Sequence, residues 1–122
     1  MSTEALAKRF IELVRAGNYP GVYEELYAPD IVSIEMDHDP SMPHKWVGMD
    51  QLMKKNEWWE SNFTVLSHRV SEPLVCPTHF CVRYDIRTTH KPTGKTSDMS
   101  ELGVYEVQDG RIVREQYFYG KD

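Results

Sequence analysis

The fold of this chain is decided by residues 79–119, which read HFCVRYDIRTTHKPTGKTSDMSELGVYEVQDGRIVREQYFY. Three runs rich in β-branched and aromatic residues follow one another here, over residues 79–89, 95–107 and 111–119. Turn-forming residues separate the runs: Pro92 and Gly94 lie between the first two, and Gly110 lies between the last two. The stretch therefore predicts a meander of long strands.

The residues before this meander predict helices followed by shorter strands. Apolar residues at helical spacing predict helices over residues 3–16, 20–27 and 48–62, and Pro29 is expected to end the second helix. Strands are expected over residues 31–36 and 64–75, with an irregular loop over 37–47 because that stretch contains two prolines. Helices followed by a run of strands indicate an α+β domain, and strands this long favour a curved sheet with a hollow inside.

Length and charge restrict the class of protein. With 122 residues, the chain is expected to form a single domain over residues 1–122. Its net charge is −5, and a nucleic-acid binder or a protein of anionic membrane surfaces would need a basic stripe that the sequence lacks. The first residues carry no pattern of a signal peptide, and the two cysteines are expected to be reduced, so we expect a cytoplasmic protein.

Three segments resemble a known family. They are Arg15-Ala16-Gly17-Asn18, residues 25–32 (ELYAPDIV) and residues 104–113 (VYEVQDGRIV). They are similar to the SnoaL-like branch of the nuclear transport factor 2-like superfamily, whose enzymes include ketosteroid isomerase, polyketide cyclases, scytalone dehydratase and limonene epoxide hydrolase. The resemblance covers nearly the whole chain. It implies a curved, mainly antiparallel mixed sheet wrapped around three N-terminal helices, forming a cone with an internal pocket and commonly dimerising through the outer face of the sheet.

Alternation along the strands, helical spacing in the helices and this resemblance together indicate which side chains would face the pocket. The expected ligand-binding residues are Phe10, Asn56, Trp59, Phe80, Val82, Tyr84, Tyr105, Tyr117 and Tyr119. Glu101 and Glu115 would project among these rings, where burial raises the pKa of a carboxyl group and suits it to general acid or base catalysis. The alternative is that each glutamate is fixed by an arginine or tyrosine, or is solvated at the mouth of the cone.

Glu35 is a further catalytic candidate by resemblance, because it falls within one residue of the catalytic aspartate of ketosteroid isomerase. The alternative is an ordinary exposed carboxylate at the end of a strand. The oxyanion-donating tyrosine of the isomerase falls at Phe10, and its protonated aspartic acid falls near Gly103. Steroid isomerisation by that constellation is therefore disfavoured.

The loop after Glu35 contains two carboxylates and two imidazoles. His38, the histidine nearest to Glu35, could shuttle protons because the pKa of an imidazole is close to neutral. The loop has no recognised metal-ligand spacing, and the enzymes of the family usually work without metal, so neither a metal nor a cofactor is expected.

Three functions stay open at this point. The chain could be a cofactor-free isomerase, cyclase or dehydratase acting on an apolar molecule, with Glu35 or His38 as base and Glu101, Glu115 or Tyr117 as acid or oxyanion donor. It could instead hold a small apolar molecule without chemistry, or act as an interaction module through the outer sheet. Apolar residues on the presumed outer face predict a homodimer; they are Leu102, Val104 and Phe118.

Overall fold

A computed structural model describes residues 1–36 and 43–120 of the chain. Within these ranges the helices are α1 (Thr3–Arg15), α2 (Tyr19–Leu26) and α3 (Met49–Asn62). The strands of the same ranges are β1 (Tyr27–Ile34), β2 (Lys45–Val47), β3 (Phe63–Val70), β4 (Leu74–Val75), β5 (His79–His90), β6 (Lys95–Gln108) and β7 (Arg111–Phe118). None of the described helices combines the length and the apolar character that a membrane span requires.

Polar caps begin the first two helices. The side chain of Ser2 accepts a hydrogen bond of 3.1 Å from the backbone N–H of Ala5 at the start of α1. Gly17 follows this helix with a φ of 71°, a conformation that glycine adopts without strain. Asn18 then caps α2 by accepting from the N–H of Gly21 at 3.0 Å. The two helices are thus separated by a short turn.

The strands form one mixed sheet in the order β2-β1-β7-β6-β5-β3, and β4 pairs with β5. The long meander of β5, β6 and β7 is antiparallel, whereas β1 lies parallel to β7. The predicted α+β class, with three N-terminal helices and a mainly antiparallel mixed sheet, is confirmed. The sheet is open rather than closed into a barrel.

A bulge in β7 decides which side chains face the helices. Val107 pairs with Ile112, but Glu106 pairs with Arg114, so β7 carries one extra residue between these pairs. Strict alternation would place residues 112 and 115 on opposite faces of the sheet. With the bulge, Ile112 and Glu115 both lie buried on the inner face. The position of Glu115 in the site therefore depends on this irregularity.

Three predicted boundaries were wrong. The second helix ends at Leu26, one residue before the predicted end, and the first strand begins at Tyr27 rather than at residue 31, so Pro29 lies inside β1 where the register with β7 shifts. The end of the expected loop over residues 37–47 forms strand β2, whose Val47 pairs with Val32. The expected strand over 64–75 is interrupted after Val70, and β4 begins only after Pro73, which has no N–H to donate to a strand.

Candidate functional site

The inner face of the sheet carries an aromatic core formed by Phe10, Phe80 and Tyr105. The ring centroids of Phe10 lie 5.3 Å from Phe80 and 4.7 Å from Tyr105, and Phe80 stacks on Tyr105 at 4.9 Å. All three side chains are buried, and Val82 is buried beside them. Four of the predicted ligand-binding residues therefore lie in the packed interior, where they contact one another.

Glu115 of β7 lies next to this core, because it is the register partner of Tyr105 on β6. It is only 2% exposed, and both of its carboxylate oxygens accept hydrogen bonds from β1. The Tyr27 hydroxyl donates to Oε1, and the Ser33 hydroxyl donates to Oε2 at 2.7 Å. Burial, and then the charge of Glu115, raises the pKa of Tyr27 well above its ordinary value, so this phenol stays a donor at neutral pH. The buried carboxylate is thus fixed by a tyrosine and a serine.

Lys55 of α3 connects two of the predicted catalytic carboxylates. Its Nζ forms a salt bridge with Oε1 of Glu35, lies 3.7 Å from Oε2 of Glu115 and donates to the Ser33 hydroxyl at 2.9 Å. The ammonium also lies 4.9 Å from the centroid of the Tyr117 ring. The side chain of Lys55 is 14% exposed. We refer to Glu35, Ser33, Lys55 and Glu115 as the carboxylate–lysine cluster.

Glu35 follows the end of β1 and completes this cluster. Its side chain is 21% exposed, and its second oxygen, Oε2, accepts a hydrogen bond of 3.0 Å from the Tyr119 hydroxyl. Burial, followed by the charge of Glu35, raises the pKa of Tyr119 above its ordinary value. Both oxygens of Glu35 are therefore engaged, one by an ammonium and the other by a phenol.

Glu101 is the third predicted catalytic carboxyl group of this region and lies on β6, opposite Tyr84 of β5. Its carboxyl group is partly buried, and its pKa is raised to about 7. Burial is the largest cause; the negative charges of Glu35 and Glu115 add to it, and the positive charge of Lys55 opposes it. At neutral pH this carboxyl group is therefore populated in both its protonated and its ionised form, which the chemistry of a proton-transfer group requires.

Three tyrosines of β5, β6 and β7 place neutral phenols on the inner face of the sheet. The hydroxyls of Tyr84 and Tyr105 are 2.5 Å apart, and burial raises the pKa of both, and of Tyr117, well above the ordinary value. A Cβ added at Gly103 would lie 2.6 Å from the Tyr105 hydroxyl. The space beside residue 103, where the resemblance places an acidic side chain in ketosteroid isomerase, is thus occupied here by the end of Tyr105.

The remaining predicted residues have other partners or cannot be placed. Asn56 donates to the Tyr23 hydroxyl at 3.0 Å and so ties α3 to α2. Trp59 stacks on Phe63, with centroids 4.3 Å apart, at the end of α3. His38 lies outside the described residues. Within the described ranges, no group of three or more histidine, cysteine, aspartate and glutamate side chains is arranged to hold a metal ion.

Sequence reasoning missed Tyr27, Ser33 and Lys55, although the signals for two of them were present. Ser33 lies two residues after the buried Ile31 on β1, and residues two apart on a strand share a face, so Ser33 belongs to the inner face. Lys55 lies three residues after Leu52, the buried residue of α3, at the spacing that places two side chains on the same side of a helix. No local pattern identifies Tyr27 as the partner of Glu115, because 88 residues separate them.

A surface groove lies away from these carboxylates. It has a volume of about 690 Å³ and runs between the start of α1 and the segment 72–77. Its lining includes Lys8, Leu74 and Cys76 but no residue of the carboxylate–lysine cluster. The groove is therefore separate from the candidate site.

Sequence and structure comparisons give this arrangement a family. The model for SnoaL-like domains matches residues 1–119. The chain belongs to the SnoaL-like family. A candidate SnoaL-like polyketide cyclase from Mesorhizobium loti is 34% identical to it, with a TM-score of 0.91 over 98% of this chain and 100% of that chain. Among curated proteins, none matches this SnoaL-like chain.

More distant structures share the fold alone. A candidate isomerase from Bacillus subtilis is 16% identical over 98% of this chain and 90% of that chain, with a TM-score of 0.76. A protein of unknown function with a cystatin-like fold from Xanthomonas campestris is 18% identical over 99% of this chain and 92% of that chain, with a TM-score of 0.74. These neighbours agree with a cone-shaped α+β domain.

Proposed function

We propose that this SnoaL-like protein binds a neutral, largely apolar molecule bearing a carbonyl group and transfers a proton on it through Glu101, without a cofactor. The observation that carries the proposal is the placement of Glu101 beside two carboxylates that already have partners. Glu35 and Glu115 are held by Lys55, Tyr119, Tyr27 and Ser33. Glu101, with a pKa of about 7, is the acid of the described site suited to exchange a proton near neutral pH.

The charge of the site supports a neutral ligand. The described residues of the site include the carboxyl groups of Glu35, Glu101 and Glu115 but a single cation, Lys55, which already pairs with two of them. A carboxylate or phosphate ligand would meet a net negative charge here. A carbonyl oxygen could instead accept a hydrogen bond from a neutral phenol such as that of Tyr117.

The proposed step is the enolisation of a carbonyl compound. The ionised carboxylate of Glu101 removes a proton from the carbon next to the carbonyl; the electron pair of that C–H bond forms a carbon–carbon double bond, and the π pair of the carbonyl group moves onto its oxygen. A phenol donates a hydrogen bond to the negative charge that develops on this oxygen. The protonated Glu101 then returns the proton to carbon. Isomerase, cyclase and dehydratase reactions can each begin with such a step.

Exchange of carbon-bound protons for deuterium tests the proposal without knowledge of the natural substrate. A panel of neutral aromatic and alicyclic ketones is incubated with the protein in heavy water, and exchange at the α-carbon is followed by NMR. We expect accelerated exchange for at least one ketone, reduced by about 100-fold or more in Glu101→Gln, the scale expected for loss of a general base. Binding, measured as a ligand-induced rise in melting temperature, should persist in this variant.

The matched control is Glu106→Gln, on the same strand but on the opposite face, where Glu106 lies 3.7 Å from His79. It should leave the exchange rate unchanged. Exchange that is equally fast in Glu101→Gln would contradict the role of Glu101. Ligand binding without exchange in any variant would identify a non-catalytic binding protein.

The outer face of the sheet supports a further proposal, that the protein forms a homodimer. Leu102 and Phe118 are register partners on neighbouring strands and are 47% and 43% exposed. Val104 lies on the same face of β6, and Leu74 of β4, which is 74% exposed, shares this face because it pairs with Cys81, the register partner of Val104. Adjacent apolar side chains of this kind are commonly covered by a second subunit.

A further inference from the structure

We propose that Lys55 is a positioning residue for proton transfer: its ammonium fixes the carboxylates of Glu35 and Glu115 and thereby leaves Glu101 as the acid that exchanges a proton. The inference deepens the proposed function and rests on it for the role of Glu101. The contacts of Lys55 do not depend on that function, so the two can fail separately.

The position of Lys55 gives it access to both carboxylates. Its side chain extends from α3 across the inner face, where Nζ contacts Glu35 at the end of β1 and lies 3.7 Å from Glu115 on β7. The Ser33 hydroxyl accepts from Nζ at 2.9 Å and donates to Glu115 at 2.7 Å. A single cation thus lies between a carboxylate that follows the end of β1 and a second carboxylate on β7.

The same cation acts on Glu101 through space. Among the described residues, the charged and titratable groups that influence the Glu101 carboxyl, or are influenced by it, are Glu35, Lys55, Glu115, Tyr19, Tyr84 and Tyr119. Within this set Lys55 is the cation, and it stabilises the ionised form of Glu101 against the repulsion of the two other carboxylates. Its removal should therefore favour the protonated form.

A purely structural role for Lys55 is the competing explanation. Leu52 is the only residue of α3 that is fully buried, so apolar packing alone attaches this helix to the sheet through few side chains. The contacts of Lys55 could therefore serve mainly to attach α3 to the sheet. Such a role would change stability but not the ionisation of Glu101. The two explanations therefore differ in what they predict for the titration of a single carboxyl group.

The experiment titrates Glu101 in the ligand-free protein by ¹³C NMR of side-chain-labelled glutamate, with the signal assigned by its loss in Glu101→Gln. In the wild-type protein we expect a midpoint near the pKa of about 7. In Lys55→Met the midpoint should rise by about one pH unit, a tenfold change in proton affinity. Lys55→Arg, which keeps the charge, should return the midpoint towards the wild-type value.

The matched control is Lys54→Met, which removes the same charge from the neighbouring, exposed position of α3 and should leave the Glu101 midpoint unchanged. If Lys55→Met does not fold, Lys55→Gln carries the same test because its amide can still donate to Ser33. An unchanged Glu101 midpoint with a lower melting temperature would overturn the proposal and assign Lys55 a structural role. A raised midpoint without ketone exchange in any variant would support the action of Lys55 on Glu101 while refuting the proposed function.

Discussion

The aromatic core and the carboxylate–lysine cluster lie side by side on the same face of the sheet, and they are built on opposite principles. Phe10, Phe80 and Tyr105 exclude water and contact one another, so each contributes the free energy of apolar burial. In the cluster, Lys55 and Glu115 are also removed from water, but each then needs specific partners to offset the loss of hydration. We therefore expect the first region to contribute most to stability, whereas the charges of the second influence the pKa of Glu101.

Removal of a core ring should have the largest effect on stability. Phe80→Ala is expected to lower the free energy of unfolding by about 3–5 kcal/mol, because it removes apolar contacts and leaves a cavity. Urea denaturation followed by tryptophan fluorescence measures this change. Phe63→Ala is the control on a half-buried phenylalanine at the end of α3 and should cost less. Equal losses in the two variants would show that the aromatic core is not the main source of stability.

A broken contact at the edge of the cluster should have a smaller effect. Tyr27→Phe removes the donor to Oε1 of the buried Glu115 and is expected to cost about 1–3 kcal/mol of unfolding free energy. Tyr19→Phe removes a hydroxyl from an exposed tyrosine of α2 and should change stability by less than about 0.5 kcal/mol. If both variants are as stable as the wild type, the buried hydrogen bond to Glu115 does not contribute to stability.

The pH dependence of folding should report Glu101. Its pKa in the folded protein, about 7, lies above the ordinary value of 4.5, so the folded state binds more protons than the unfolded state between these values. Stability should consequently fall as pH rises from 4.5 to 7, and this part of the slope should disappear in Glu101→Gln. Chemical denaturation of both proteins at intervals across that range measures the difference. Parallel pH profiles would indicate that Glu101 titrates normally.

The outer face should contribute least to the stability of the subunit. Phe118→Ser is expected to change the unfolding free energy of the monomer by about 0.5 kcal/mol or less, since the side chain is 43% exposed. It should nevertheless shift a dimer to monomers, which light scattering at micromolar concentration detects. Tyr19→Phe, away from this face, is the control. A wild-type protein that is already monomeric at that concentration would contradict the homodimer.

Much of the fold could be predicted because its signals are local. The meander of β5 to β7 follows from β-branched and aromatic runs separated by Gly94 and Gly110, each of which has a positive φ in the structure. The parallel pairing of β1 with β7 is different in kind, because it joins the two halves of the chain and has no local signature beyond the family resemblance. The break before β4 was not predicted, because the apolar residues on both sides favoured one continuous strand in spite of Pro73.

The candidate site was predictable only in part. Alternation placed Glu101 and Glu115 on the same face as Tyr105 and Tyr117, and the structure puts them there. The different environments of the two glutamates could not be foreseen, since they depend on Lys55 and on donors from β1. The bulge in β7 also escaped prediction, although it allows Ile112 and Glu115 to share the inner face.

By itself, the amino-acid sequence determined the class of fold, the order of most elements and the set of acids and rings available to the inner face. These depend on propensity and periodicity, which act over a few residues along the chain. The tertiary structure alone decided which carboxyl groups are paired and which one has a raised pKa. The hydration and the hydrogen bonding of Glu35, Glu101 and Glu115 depend on neighbours from distant segments of the chain. Only in the folded chain does the ammonium of Lys55 pair with Glu35, approach Glu115 and act on Glu101 through its charge.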